Sequence, residues 1–96
     1  MENALEKKSL YARRVTLSNS LGMHARPAAK IAEIAGRAAH NVWIKNDGSQ
    51  ADAQSVIDML SLCITKDSSI TVEVESTDDA AILDEIINLI ESGFGE

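Results

Sequence analysis

Apolar positions recur along this chain with two alternating periods, and the changes between them lay out its elements. From Leu10 to Leu17, Leu10, Ala12 and Arg14 alternate with Tyr11, Arg13, Val15 and Leu17, which predicts a first strand. Ser18-Asn19-Ser20 interrupts it as a loop. Ala28, Ile31, Ala32, Ala35 and Ala39 then recur at helical spacing and predict a helix over Ala25–Ala38, with side chains small enough to approach a sheet closely. Gly36 weakens the interior of that helix by about 1 kcal/mol relative to alanine. His40 follows as an exposed residue of the connection. Val42 and Ile44 alternate with Trp43 and Lys45 in a second strand that puts Trp43 on the wetter face, and Asn46-Asp47-Gly48 is a hairpin signal. Ser49–Ala53 follows as a short edge strand.

The second half repeats the scheme. A short helix runs from Ser55 to Leu62, with Ser55 and Asp58 spaced as a capping box. Val56, Ile57, Met59, Leu60 and Leu62 are more apolar positions than one face of so short a helix needs. They are either all core, or in part an exposed docking patch. Cys63 is expected to be a buried, inert thiol, and Lys66-Asp67-Ser68 a turn. Ile70, Val72 and Val74 alternate with Thr71, Glu73 and Glu75 in the clearest strand. Ser76-Thr77-Asp78-Asp79 opens the last helix, with Ala81, Ile82, Ile86, Leu89 and Ile90 as its buried face and Gly93 at its end. Asp78, Asp79, Asp84 and Glu85 read as its solvated side. The order β-α-β-β-α-β-α with one-faced strands predicts an α+β fold, its helices packed on one side of an antiparallel sheet.

Length changes this picture little: 96 residues make one domain, here 10–96, preceded by a charged stretch read as a flexible extension over 1–9. A net charge of −6 and the absence of a basic run argue against a nucleic-acid surface. No apolar run approaches the roughly 20 residues that span a bilayer, so membrane insertion is not expected. The charged N-terminus lacks the apolar centre of a signal peptide, and Cys63, the single cysteine, cannot form an intrachain disulfide. A cytoplasmic location fits these features.

The candidate chemistry lies where the first strand gives way to the first helix, in Leu21-Gly22-Met23-His24-Ala25-Arg26-Pro27-Ala28-Ala29. His24 falls at the N-cap or just outside the helix, and Pro27 in the first turn, where its missing N–H costs nothing. A residue before proline avoids the α region, so Arg26 is expected to make the first turn irregular or shift its start by one residue. The amides and positive dipole end of a helix attract anions, and Arg26 adds a planar donor fork suited to phosphate. Gly22 allows close backbone approach and a positive φ. An imidazole there can act as a nucleophile among preformed donors. On the residues alone, a histidine that merely caps the helix beside a solvated arginine stands as the alternative. A hydrolytic site is not indicated, because no serine, cysteine or carboxylate partner accompanies His24 at a recognisable spacing. Nor do two histidines and one cysteine form a metal-ligand pattern.

Gly22-Met23-His24-Ala25-Arg26-Pro27-Ala28 resembles the active-site motif of the HPr family, the histidine phosphocarriers of the bacterial phosphotransferase system. Ser55-Val56-Ile57-Asp58-Met59-Leu60-Ser61-Leu62 resembles that family's regulatory-serine segment, at a similar distance from the histidine. The resemblance spans Leu10 to Glu96, and Leu21-Gly22-Met23, Ser55-Val56-Ile57 and Gly93-Phe94 look more like the nitrogen-branch members, NPr. It implies an open-faced β-sandwich, with three helices on one face of a four-stranded antiparallel sheet. By the same resemblance His24 accepts a phosphoryl group on its pros nitrogen, Nδ1. Arg26 assists it, and Gly22, Ala25, Arg26 and Pro27 form the phosphate-binding helix start. Val56, Ile57, Met59 and Leu60 make the docking surface, and Ser55 is a regulatory site for a serine kinase/phosphorylase. The implied donor is a phosphoenolpyruvate-dependent enzyme of the Enzyme I type and the acceptors are of the Enzyme IIA type. The chain is then a carrier, not an enzyme, expected to be monomeric and to need no cofactor or metal. The alternative is a regulatory module that binds partners through the Ser55 helix without carrying phosphate. Asp58 stands where sugar-pathway members commonly have glycine, which puts a carboxylate inside that interface.

Overall fold

The structure, a computed structural model, describes residues 11–95; the extension expected over 1–9 and the start of the first strand at Leu10 lie outside them. The elements are β1 (Ala12–Thr16), α1 (Ala25–Ala35), β2 (Val42–Asn46), β3 (Ser49–Asp52), α2 (Val56–Leu60), β4 (Ser69–Val74) and α3 (Ala80–Glu91). A 3-10 turn, Thr77–Asp79, leads into α3, and a left-handed turn, Gly93–Gly95, follows it. The four strands form one antiparallel sheet in the order β1-β4-β2-β3. In its register Val15 faces Ile70, Ile44 lies between Val72 and Ala51, and Val42 faces Val74. Of these, Val42, Ile44, Ile70, Val72 and Val74 are the positions that the period of two marked out, and all of them, with Val15 and Ala51, are buried. Against them pack Ala28, Ile31 and Ala35 of α1, Met59 of α2, and Leu83, Ile86 and Ile90 of α3. Phe94, fully buried, completes the core. No helix among the described residues is long and apolar enough to cross a membrane.

Trp43 lies on the other face of the sheet, half-buried, and its Nε1 donates to Glu75 Oε2 at 3.0 Å. Lys45 and Glu73 make an ion pair there. The β2–β3 turn has φ of 50° at Asp47 and 83° at Gly48, the paired positive values that match the twist of a two-residue hairpin. β3 is an edge strand, as expected, and ends at Asp52.

Several expectations need correction. α1 starts at Ala25, with Arg26 and Pro27 inside a first turn that is neither displaced nor delayed. It ends at Ala35 instead of Ala38; Ala39 is exposed, whereas Pro27 and Ile34 are buried. Asp79 explains this end: 3% exposed, it accepts from Ala39 N at 2.8 Å and His40 N at 2.9 Å, drawing the chain away from the helix path just after the weak helix former Gly36. Asp79 is therefore not part of a solvated acidic side. The same anchorage fixes the start of α3, whose buried stripe is Leu83, Ile86, Ile87 and Ile90; Ala81 is exposed and Ile82 and Leu89 only half-buried. α2 stops at Leu60, because Leu62 N and Cys63 N bond three residues back, to Met59 O and Leu60 O, and tighten the chain. That turn leaves Cys63 at φ 53° and exposed, between half-buried Leu62 and buried Ile64.

Candidate functional site

The loop from Ser18 to Met23 carries the chain from β1 to α1, and its shape is set by three backbone facts. Gly22 has φ +66°, and a Cβ built on it would lie 2.6 Å from Ile64 O and 2.9 Å from the Thr65 backbone. No other residue fits so close an approach in that conformation. Gly22 N donates to Asn19 O at 3.2 Å, and Met23 N donates to Ile64 O at 2.9 Å. The loop is thereby fastened to the segment after α2, with the Met23 side chain buried in the core.

His24 follows as the N-cap of α1, in extended conformation with φ −115° and ψ −171°. Its carbonyl accepts from Ala28 N at 3.1 Å, so the backbone performs the cap. The imidazole makes no capping hydrogen bond; it stands half-buried at the positive end of an 11-residue helix, with Nε2 closed off from solvent. The reading in which the side chain merely caps the helix therefore loses its hydrogen bond. Ala25 and Arg26 are exposed in the first turn, where the amides have no carbonyl of their own helix to meet. Pro27, buried, follows them without an N–H to satisfy. One turn beyond Arg26, Lys30 donates from Nζ to Phe94 O at 2.6 Å. The run of positive φ at Gly93, Phe94 and Gly95 (71°, 61° and 75°) turns the end of the chain back towards this side of α1.

α2 begins at Ser55, whose Oγ accepts from Asp58 N at 3.1 Å, as the capping spacing predicts. The reciprocal half of the box is not made. Asp58 Oδ2 accepts from Asp52 N at 2.7 Å and ties α2 to the end of β3, while Ser55 N donates to Asp52 O. On α2 the two readings of the apolar residues divide. Ile57 is 82% exposed, Val56 and Leu60 are half-buried, and Met59 is wholly buried. Met59 is thus a core residue and does not belong to a docking surface; with one face of α2 on the core, Val56, Ile57 and Leu60 are the apolar residues of the helix that remain accessible.

Two residues near His24 were not singled out by sequence reasoning. Lys30 had a weak signal, its spacing of four from Arg26 on one helix. Asn19 had only its place in a polar loop, yet it is buried, and its Nδ2 donates to Gly22 O at 2.7 Å. Clefts of about 510, 460 and 320 Å³ lie at β1, on the open sheet face and beside Asn19, and His24 lines none of these three.

Residues 11–92 match the family model described as the PTS HPr component phosphorylation site. Over 85 residues the chain is 44% identical to the phosphocarrier protein NPr of Proteus mirabilis, covering 88% of this chain and 94% of that one. Over 84 residues it is 34% identical to the phosphocarrier protein HPr of Cupriavidus necator, again covering 88% and 94%. The crystal structure of HPr-C-His from Thermoanaerobacter tengcongensis superimposes with a TM-score of 0.83 at 28% identity, over 88% of this chain and 96% of that one.

Proposed function

We propose that this chain, which belongs to the HPr family of phosphotransferase-system phosphocarriers, takes one phosphoryl group onto His24 and passes it on. The donor is a phosphoenolpyruvate-dependent protein of the Enzyme I type and the acceptor a protein of the Enzyme IIA type. The observation that carries this reading is the imidazole at the N-terminus of α1, held there by an extended backbone and not used as the cap. The Nδ1 lone pair attacks phosphorus as the bond from phosphorus to the donor breaks, its electron pair returning to the donor. A neutral ring with its proton on Nε2 needs no proton transfer in this step, and the burial of Nε2 supports Nδ1 as the accepting atom. The dianionic phosphoryl group then meets the first-turn amides and Arg26. Transfer onward is the reverse process with the acceptor's nucleophile. Intact-mass measurement after incubation with phosphoenolpyruvate and an Enzyme I type donor tests the proposal. One acid-labile phosphoryl group is the expected gain, and no gain overturns it.

Arg26 is expected to matter through its shape as well as its charge. Arg26→Lys keeps the cation but loses the bidentate fork, and should slow transfer by about 1–3 kcal/mol, the value of a charge-assisted hydrogen bond. Rapid-quench kinetics equal to wild type would make the guanidinium a bystander.

Ser55 is better accounted for as a cap than as a regulatory switch. Its Oγ is engaged by Asp58 N, and the Asp58 carboxylate is fixed one turn away, where it opposes an added phosphate. Ser55→Ala should cost about 1 kcal/mol of stability and leave transfer to His24 unchanged. Ser55→Asp keeps a capping oxygen and adds charge beside Val56 and Ile57. A sharp loss of transfer in that variant, with its melting temperature intact, would favour the switch.

A further inference from the structure

We propose that Asn19 is a positioning residue for phosphoryl transfer at His24, acting through the peptide unit between Gly22 and Met23. The inference rests on His24 being the phosphoryl acceptor. That peptide unit is held at both ends: its carbonyl accepts from Asn19 Nδ2 at 2.7 Å, and its N–H donates to Ile64 O at 2.9 Å. A peptide unit fixed at oxygen and hydrogen cannot rotate about the chain, so the direction in which Met23 and then His24 leave it is set. Asn19 is itself fixed, because its own carbonyl accepts from Gly22 N at 3.2 Å and closes the turn from 19 to 22. It is 7% exposed, whereas its neighbours Ser18 and Ser20 are exposed. Its Oδ1 is buried and meets no donor, so the bond to Gly22 is the polar contact this side chain provides. The position calls for a neutral amide with N–H donors, since an aspartate of the same shape would present an oxygen to the Gly22 carbonyl. The expected consequence falls on the transfer step, because displacement of a reacting group by about an ångström can cost on the order of a hundredfold in rate.

The test compares wild type, Asn19→Asp, Asn19→Ser and His24→Ala in single-turnover transfer from a phosphorylated Enzyme I type donor, at a temperature where circular dichroism finds each chain folded. Asn19→Asp is expected to lose about tenfold or more in the rate at saturating donor, with the half-saturating donor concentration changed less than about twofold. Asn19→Ser, which keeps a short donor, should recover part of that rate. A wild-type saturating rate in Asn19→Asp overturns the proposal, as does a loss confined to half-saturation or one accounted for by the unfolded fraction. If Asn19→Asp does not fold, Asn19→Ala takes its place, and a saturating rate equal to wild type is the overturning result. Failure of wild type to gain a phosphoryl group, or a gain that survives in His24→Ala, refutes the assignment of His24 and the inference with it. With that assignment upheld, the Asn19 rates alone decide.

Discussion

A His24→Ala chain incubated with phosphoenolpyruvate and an Enzyme I type donor is expected to gain no acid-labile phosphoryl group, while the wild-type chain gains one. The expectation is a complete loss, because the other histidine is no substitute. His40 is exposed in the α1–β2 connection, with Nε2 3.7 Å from Asp78 Oδ2. The backbone amides at Ala39 and His40 already donate to Asp79. Two carboxylates there repel an incoming dianion, and the local N–H groups have acceptors. Around His24 the balance is reversed: a helix N-terminus and Arg26 favour the anion. The substitution should leave the fold standing within about 1 kcal/mol, since the His24 carbonyl, not the imidazole, accepts from Ala28 N. Intact mass before and after mild acid reads the result, with circular dichroism as the control for folding. An acid-labile gain persisting in the variant would refute the assignment; an acid-stable gain would point to a hydroxyl such as Ser55.

The parts of this fold legible in the sequence are those whose causes are local. Alternation in Ile70, Val72 and Val74 marks β4 because one face of the sheet is buried and the other wet. Asp47-Gly48 marks the hairpin because both residues tolerate positive φ. Ser55, three residues before Asp58, marks the start of α2 because a hydroxyl can take an amide hydrogen at that distance. The junction at His24 was legible for the same reason, as Gly22, His24 and Pro27 each have a defined place in the entry to a helix. Several of the misreadings lie where a distant partner overrides the local preference. Asp79 follows Asp78 in an apparent acidic first turn, and nothing nearby reveals that its carboxylate takes the amides of Ala39 and His40, some 40 residues earlier. That one contact draws the chain off the path of α1 and anchors the start of α3. Met59 and Ile57 are both apolar residues of a five-residue helix, and only the packing of α2 against α1 and β3 separates core from surface. Asn19 was hidden differently. Its neighbours are serines, its segment has loop composition, and its partner Gly22 is close in sequence, but its burial arises from the packing of the loop onto the segment after α2.

Gly22→Ala is expected to be the most damaging single-methyl change at the site, lowering stability by about 2–5 kcal/mol. Two costs add. At φ +66° an alanine is strained by about 1–2 kcal/mol. The new Cβ also meets Ile64 O at 2.6 Å and the Thr65 backbone at 2.9 Å, atoms that cannot swing aside as a side chain would. Either the loop or the Ile64–Thr65 segment must shift, and the bond from Met23 N to Ile64 O is then broken or weakened, at a further cost of about 1–3 kcal/mol for buried groups left poorly paired. For a domain whose total stability is on the order of 5–15 kcal/mol this is a large fraction, and the melting temperature should fall by more than about 10 °C. Gly48→Ala supplies the comparison. Gly48 has φ +83°, and nothing lies within 4 Å of a Cβ built there, so only the backbone strain applies. The difference between the two variants therefore isolates the close approach. Gly22→Asn separates the costs from the other direction, because asparagine accepts left-handed geometry yet still carries a Cβ. It should remain well below wild type, while Gly48→Asn should be nearly neutral. Equal melting temperatures for Gly22→Ala and Gly48→Ala would mean that the loop can yield without loss, and that contact with Ile64 does not hold His24 in place.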